Sequence, residues 1–355
     1  MKKVLLTFGL LLGVAAAGQS PLAMQEKSEK AREQKSLVAR AKVWLPSDVA
    51  SKDLFRGPQG DGFFEPGQTI ECDYLDKKMS GLSPKFSCKL ANGDELKVKY
   101  GGDNGEVYAE VIATRLLWAL GFGADNMYSV RVVCHGCPET VGGTLRENGD
   151  RILDPAAVER KMPGEELLAE WKWEELDKID EAQGGATKAE RDALKLLASV
   201  LQHSDSKAVQ QRLICTDRVY KGDGTCEVPL MMINDLGVTF GRANAFNQQS
   251  RGSINLAEWA KLPVWKDAAS CTGNLAGSFS GTLKEPVISE AGRQFLGDLL
   301  MKLSDQQLRE MFEAGRVQLR PRAPEDPKSG FPAIDEWVNV FKQKRTEIVE
   351  HRCPS

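Results

Sequence analysis

The chain has 355 residues, a formal net charge of −3, and 27 % charged against 41 % apolar residues. That length holds one two-lobed unit or two modest domains, and the slightly acidic balance argues against a nucleic-acid binder. Eight cysteines, an even number, acquire meaning from the first residues of the chain.

Met1-Lys2-Lys3 gives a basic start, an apolar stretch follows, and Ala15-Ala16-Ala17 supplies a small-residue cleavage pattern. Residues 1–17 therefore read as a secretory signal peptide, because the apolar run is shorter than the roughly 20 residues that span a bilayer. No Cys follows the cleavage pattern, which disfavours a lipid anchor. The mature protein is expected to be exported, periplasmic or secreted, with no transmembrane segment. In an oxidising compartment the cysteines read as disulfides before metal ligands or reactive thiols. Residues 18–60 read as a charged tether or short helix, then an irregular lead-in rich in Gly, Pro and Asp.

Met79-Ser80-Gly81-Leu82-Ser83-Pro84-Lys85 gathers backbone amides, hydroxyls and a lysine, a combination that suits a phosphate; a plain Ser-Pro turn between strands fits the same letters. Cys72 and Cys88 bracket this turn and are expected to pair. Two alternating runs, Lys85 to Leu90 and Glu95 to Tyr100, flank Asn92-Gly93 and predict a hairpin. From Ala109 to Leu120 the apolar spacing is helical and stops at Gly121. A lysine-bearing strand is thus followed by a glutamate-bearing helix, an order in which the kinase resemblance given below implies an ion pair. Lys99 with Glu110 is preferred, while Lys97 and Glu106 stand as rivals, since Lys97 and Lys99 share one strand face.

Cys134-His135-Gly136-Cys137 lacks the His that would follow in a haem site and a second ligand pair at zinc spacing, so neither reading is favoured. Partners for Cys134, Cys137, Cys271 and Cys353 stay open. Glu165 to Ile179 reads as a charged amphipathic stretch whose Trp171 and Trp173 pack, broken at Gly184-Gly185. Thr187 caps a helix over Lys188 to Gln202. Cys215 and Cys226 flank a Gly-Asp-Gly turn and are expected to pair, and Val228 to Ile233 is an apolar strand. Asn244 to Gly281 is polar, either substrate-facing or a plain loop. Helices follow over Ser289 to Leu303, Asp305 to Gly315 with Ser304 as N-cap, and Ile334 to His351.

Two segments carry a resemblance. His203-Ser204-Asp205-Ser206-Lys207-Ala208-Val209-Gln210 resembles the kinase catalytic loop with Gln in the Asn place, and Asn234-Asp235-Leu236-Gly237 resembles the metal-binding D-F-G with Leu for Phe. With the hairpin, helix and Gly/Ser turn ending in Pro-Lys, the chain over roughly residues 79 to 240 resembles the protein-kinase-like fold, HipA-like and related atypical kinases included. The resemblance implies an α+β, two-lobed protein-kinase-like fold: a small strand-rich N-lobe and a larger, mainly helical C-lobe, braced by disulfides. Residues 61–183 would form the N-lobe and lobe connection, and residues 184–355 the C-lobe.

The same resemblance implies roles. Asp205 would orient an acceptor hydroxyl and Lys207 would reach the transferred phosphoryl group. Gly81, Ser83, Lys85, Lys99 and Glu110 would form the nucleotide site, and Gln210 and Asp235 would hold the metal. The implied cofactors are ATP or another nucleotide with Mg2+ or Mn2+, and the implied partner is a hydroxyl-bearing acceptor, with no nucleic acid. Three departures bear on activity: Gln210 is one methylene longer than Asn, Leu236 replaces Phe, and the stretch from Asp205 to Asp235 is long. The alternative is a catalytically inactive pseudokinase that binds a ligand or partner. A hydrolase using His203 and Asp205 is weaker, because no G-x-S-x-G elbow is present.

Overall fold

The expected hairpin, helices and apolar strand appear in chain order, together with strands over Gln68–Leu75, Asn126–His135 and Arg151–Arg160 that the sequence patterns do not mark. The computed structural model describes residues 21–216, 226–241, 254–276, 281–323, 326 and 328–354. The first elements are α1 (Pro21–Arg40), β1 (Gln68–Leu75), β2 (Lys85–Lys89), β3 (Glu95–Tyr100), α2 (Glu106–Leu120), β4 (Gly123–Ala124) and β5 (Asn126–His135). Next come β6 (Thr144–Leu145), β7 (Arg151–Arg160), β8 (Glu165–Leu168), α3 (Lys188–Leu201), β9 (Gln211–Cys215) and β10 (Pro229–Ile233). The chain continues through α4 (Leu256–Lys261), β11 (Trp265–Asp267), β12 (Thr272–Gly273), α5 (Glu290–Met301), α6 (Asp305–Ala314) and α7 (Ile334–Glu350). The content is mixed α and β, and among the described residues no helix is long and apolar enough to cross a membrane.

The first sheet closes on itself. β1 pairs antiparallel with β2, β2 with β3, β3 with β7 and β7 with β5, and β5 returns to β1 in parallel register, while β6 adds to β7. Closure leaves no long free edge to recruit another strand. Phe86, Leu96, Val98, Val130, Val132 and Val158 fill the interior. The two-residue period of β3 therefore turns Lys97 and Lys99 to the outer face, where Ala157, the register partner of Lys99, already belongs to the larger core.

α2 packs against that outer face and contributes Val107, Val111, Leu116 and Leu120 to the larger core. It ends at Gly121 in the left-handed region (φ 90°), where a Cβ would collide with the Leu45 carbonyl oxygen. A second sheet in the order β4-β10-β9-β8 follows, with β10 antiparallel to β9 and parallel to β4. Side-chain caps start α3 at Thr187, α5 at Ser289 and α6 at Ser304. Behind them Phe240, Trp259, Phe312, Trp337 and Phe341 stack edge to face or tilted, a geometry that adds to simple burial.

All eight cysteines are paired: Cys72–Cys88, Cys134–Cys137, Cys215–Cys226 and Cys271–Cys353. The first and third are the expected pairs. The hairpin turn expected between Cys215 and Cys226 lies, over 217–225, outside the described residues. Cys271–Cys353 ties the segment after α7 back to β12.

Two stretches differ from their sequence patterns. Glu165 to Ile179 forms β8 and a short 3-10 helix (Trp173–Lys178) in place of an amphipathic helix. Pairing of β8 with β9 and the hydrogen bond from Trp171 Nε1 to the Arg212 carbonyl (3.0 Å) outweigh the local helical spacing. Both tryptophans are buried, as packing residues. The lead-in is also more integrated than its composition suggests: Val38, Ala41, Val43, Val49 and Leu54 are buried in the larger core, and Lys42 hydrogen-bonds through its backbone to Pro229 and Met231. Of the polar stretch Asn244 to Gly281, residues 254–276 carry α4, β11 and β12, while 244–253 and 277–280 lie outside the described residues.

Phe312→Ala removes the ring shared by Phe240, Trp259, Trp337 and Phe341. We expect a loss of about 3–5 kcal/mol in unfolding free energy, measured by urea titration of the oxidised protein. A loss below about 1 kcal/mol would show that these rings do not form a cooperative core.

Candidate active site

Lys99 is brought to the site by the closed sheet. Its strand is hydrogen-bonded on both sides, to β2 and β7, so its backbone has little freedom to move. Glu106 and Glu110 are four residues apart on α2, one helical turn, and therefore share a face. The fully buried Lys99 ammonium lies 2.8 Å from Glu106 and 2.7 Å from Glu110. Its third carboxylate, Asp235, is 3.6 Å away, just after β10. Lys97 instead pairs with Glu159 on β7. The two glutamates offered as alternatives thus meet the same lysine.

The turn before β2 reaches the same point. Ser83 Oγ donates to Glu106 (2.8 Å), and Lys85, the register partner of Lys99, places its ammonium 3.4 Å from Ser83 Oγ. Gly81 has φ 86°, and a Cβ there would lie 2.7 Å from the Lys85 nitrogen. Gly237 is needed for a different close approach: a Cβ would come within 2.8 Å of Glu106 Cγ and 3.1 Å of the Asp235 carboxylate. Its N–H donates to Asp235 Oδ1 at 3.0 Å.

Asp205, Lys207 and Gln210 form a second group after α3. Lys207 approaches Asp205 at 3.0 Å, and the Gln210 side-chain amide donates to Asp205 at 3.0 Å. Gln210 thus engages Asp205, while its backbone carbonyl accepts from Asn234 N–H (2.9 Å), one residue before Asp235. That bond couples the two loops. His203 is fully buried beside Trp173, and burial pushes its imidazole down to about 4, so it is neutral at ordinary pH. Among the described residues neither ring nitrogen has a hydrogen-bond partner, so none of them supplies the orienting carboxylate that a His base needs.

The charges are not balanced locally. Burial opposes charge on Lys99, but Asp235, Glu110 and Glu106 together hold it well above the ordinary lysine value. Burial also opposes charge on Asp235, and Lys99 and Lys97 overcome that effect and keep its carboxyl well below the usual range. Glu110 behaves differently: burial pushes it up to about 8 despite Lys99. For Lys85, burial and the neighbouring Lys99 lower the pKa.

Carboxylate oxygens of Glu106, Glu110 and Asp235 lie within 4.8 Å of one another. Among the described residues, no donor other than Lys99 meets the Glu110 carboxylate. A cluster of hard oxygen ligands with unmet acceptor capacity fits Mg2+ or Mn2+, with Asp235 and Glu106 as the accessible members. Sequence reasoning had Glu106 only as a rival partner for a lysine; its helical spacing from Glu110 was the available signal. A separate cavity of about 500 Å³ is bounded by Leu45, Trp118, Tyr128, Met162 and Leu230, and none of the cluster lines it.

No protein-family model matches the chain, and no curated protein matches it. Among solved structures, the chain is similar to the Helicobacter pylori proinflammatory kinase CtkA, with TM-score 0.43 and 12 % identity over 79 % of this chain and 96 % of that one. It is also similar to a Golgi casein kinase, with TM-score 0.37 and 9 % identity over 97 % of this chain and 94 % of that one. The Golgi casein kinase with Mn/ADP bound gives TM-score 0.36 and 10 % identity over 97 % and 93 %.

The Glu110 shift has a signed consequence. Its folded value of about 8 exceeds the ordinary 4.5, so between those values the folded state keeps a proton that the unfolded chain releases. This group's contribution therefore favours folding at about pH 4.5 and is lost as pH rises to about 8. Glu110→Gln should flatten that decline in unfolding free energy, read by denaturant titration across the same range. An unchanged slope would show that Glu110 is ionised throughout.

Proposed function

We propose that the chain is an exported, kinase-like phosphotransferase with a two-lobed arrangement, closed sheet and α2 on one side and the α3, β9 and β10 unit on the other. The observation that carries the reading is the convergence of Lys99, Glu106, Glu110 and Asp235, contributed by three separate elements. Such a site serves a nucleotide because phosphoryl transfer demands positioning and charge neutralisation above all.

In this reading Gly81, Ser83 and Lys85 cradle the phosphates, and Glu110 holds Lys99 against them. Asp235 and Glu106 hold Mg2+ or Mn2+, which when bound offsets phosphate charge. Asp205 orients the acceptor hydroxyl, Lys207 supports the transferred group, and Gln210 fixes the Asp205 carboxylate as the structure has it. For Gln210 to become a metal ligand, that hydrogen bond must break. The four disulfides suit an oxidising compartment. The short Gly/Ser turn ending in Pro84-Lys85 resembles that of HipA-like kinases. The second reading, a binding module, is favoured by one observation: both Lys207 and Gln210 occupy the Asp205 carboxylate that would engage an acceptor.

Calorimetric titration of the oxidised protein with ATP, with and without Mg2+ or Mn2+, tests the nucleotide site. Metal-dependent binding is expected, and Asp235→Ala should abolish it because the phosphates lose their charge compensation. Absence of binding with either metal in the wild type would end the proposal. Asp205→Ala separates the two readings. It should spare binding while lowering transfer by about 10²–10⁴-fold, the usual contribution of a positioned base. Tight binding with no turnover in the wild type would instead make the chain a binding module.

A further inference from the structure

The Cys-His-Gly-Cys motif is used neither by the proposed nucleotide site nor by the packing of distant elements. Cys134–Cys137 closes a loop with a sequence separation of 3 and joins no second element, whereas Cys72–Cys88 (16) joins two strands and Cys271–Cys353 (82) two distant segments. A bridge closing so short a loop constrains the unfolded chain little. Its position is more informative. Cys134 on β5 is the register partner of Cys72 on β1, and Cys72 is bonded to Cys88 on β2. β5, β1 and β2 are consecutive neighbours, and all four sulfurs belong to the closed sheet's interior core.

We propose that these two disulfides form one thiol-reactive site, attacked at Cys137 by a low-molecular-weight thiol and relayed through Cys134 to Cys72–Cys88. Cys137 is the least buried of the four, 8 % exposed against 0–2 % for Cys72, Cys88 and Cys134, and it follows the exposed Gly136. An incoming thiolate bonds to Cys137 Sγ, the Cys134–Cys137 bond breaks, and the electron pair leaves on Cys134. The Cys134 thiolate then attacks Cys72, the Cys72–Cys88 bond breaks, and Cys88 leaves as thiolate and takes a proton from solvent. Disulfide number is conserved: one mixed disulfide at Cys137 and one new Cys72–Cys134 bridge replace the original two.

The strand order favours the second step, since nucleophile and leaving group lie on opposite sides of Cys72. Adjacent strands sit about 4.8 Å apart, within the roughly 4.4–6.8 Å Cα range of disulfides. The consequence falls on the turn carrying Gly81 and Ser83. Cys72–Cys88 closes the loop that contains it, and opening that bridge leaves the loop held to β1 by the backbone ladder alone.

Cys137→Ser creates the Cys134 thiol without any added reagent. Iodoacetamide labelling and peptide mapping without reduction should then find a Cys72–Cys134 link and labelled Cys88. Cys134→Ser cuts the relay and should keep Cys72–Cys88 intact with Cys88 unlabelled. Should Cys137→Ser fail to fold, wild type treated with sub-stoichiometric cysteamine and quenched in acid supplies the same reading, with the adduct on Cys137. Finding Cys134 labelled while Cys72–Cys88 persists, in either experiment, overturns the proposal.

Discussion

A lysine ammonium with no exposed surface sits among three carboxylates, and the arrangement of the surrounding elements follows from keeping it there. Removing such a cation from water costs several kcal/mol unless its partners are close and well placed. Lys99 obtains that placement from a strand held on both sides, from two glutamates one helical turn apart, and from an aspartate delivered by β10. Three acids around one buried base leave an excess of negative charge. The pKa values share it unequally: Asp235 remains ionised, while the deepest acid, Glu110, rises to about 8. A site left in this condition has the charge to accept a further cation.

Closure of the first sheet makes this possible. In an open sheet β1 and β5 would be edges; here they pair in parallel register and seal an interior lined by valines, aromatics and four cysteines. The alternation of β3 then has one consistent outcome, with Leu96 and Val98 inside and Lys97 and Lys99 outside. Both outward lysines meet acids, Lys97 at Glu159 and Lys99 at α2. A second buried pair, Asp125 with Arg212, links the segment before β5 to β9, and Asp125 also accepts the Met162 N–H at 2.8 Å. The connection between the two sheets is thereby anchored by charge and by a backbone bond.

Local signals were legible where one residue type decides the backbone. The Asn92-Gly93 turn set the hairpin, Gly121 ended α2, and Thr187 and Ser304 started their helices. Cys72–Cys88 and Cys215–Cys226 could be paired because turn residues separate them at hairpin spacing. Periodicity failed over Glu165 to Ile179. The apolar residues there answer to β9 and to a hydrogen bond from Trp171, contacts that no local window contains.

By itself the sequence determined which charged groups were available and in what order: a lysine strand, a glutamate helix, an Asp205 loop and an Asp235 loop. Alternation could not separate Lys97 from Lys99, since both occupy one face of β3. Only the closed sheet, by placing β7 beside β3, gave Lys97 to Glu159 and left Lys99 for both glutamates of α2. The orientation of Gln210 toward Asp205 was likewise decided by the loop's folded path, which ties its carbonyl to Asn234. Propensity and spacing act over a few residues, whereas the partner of a buried charge is chosen by whichever distant element reaches it first with an opposite charge.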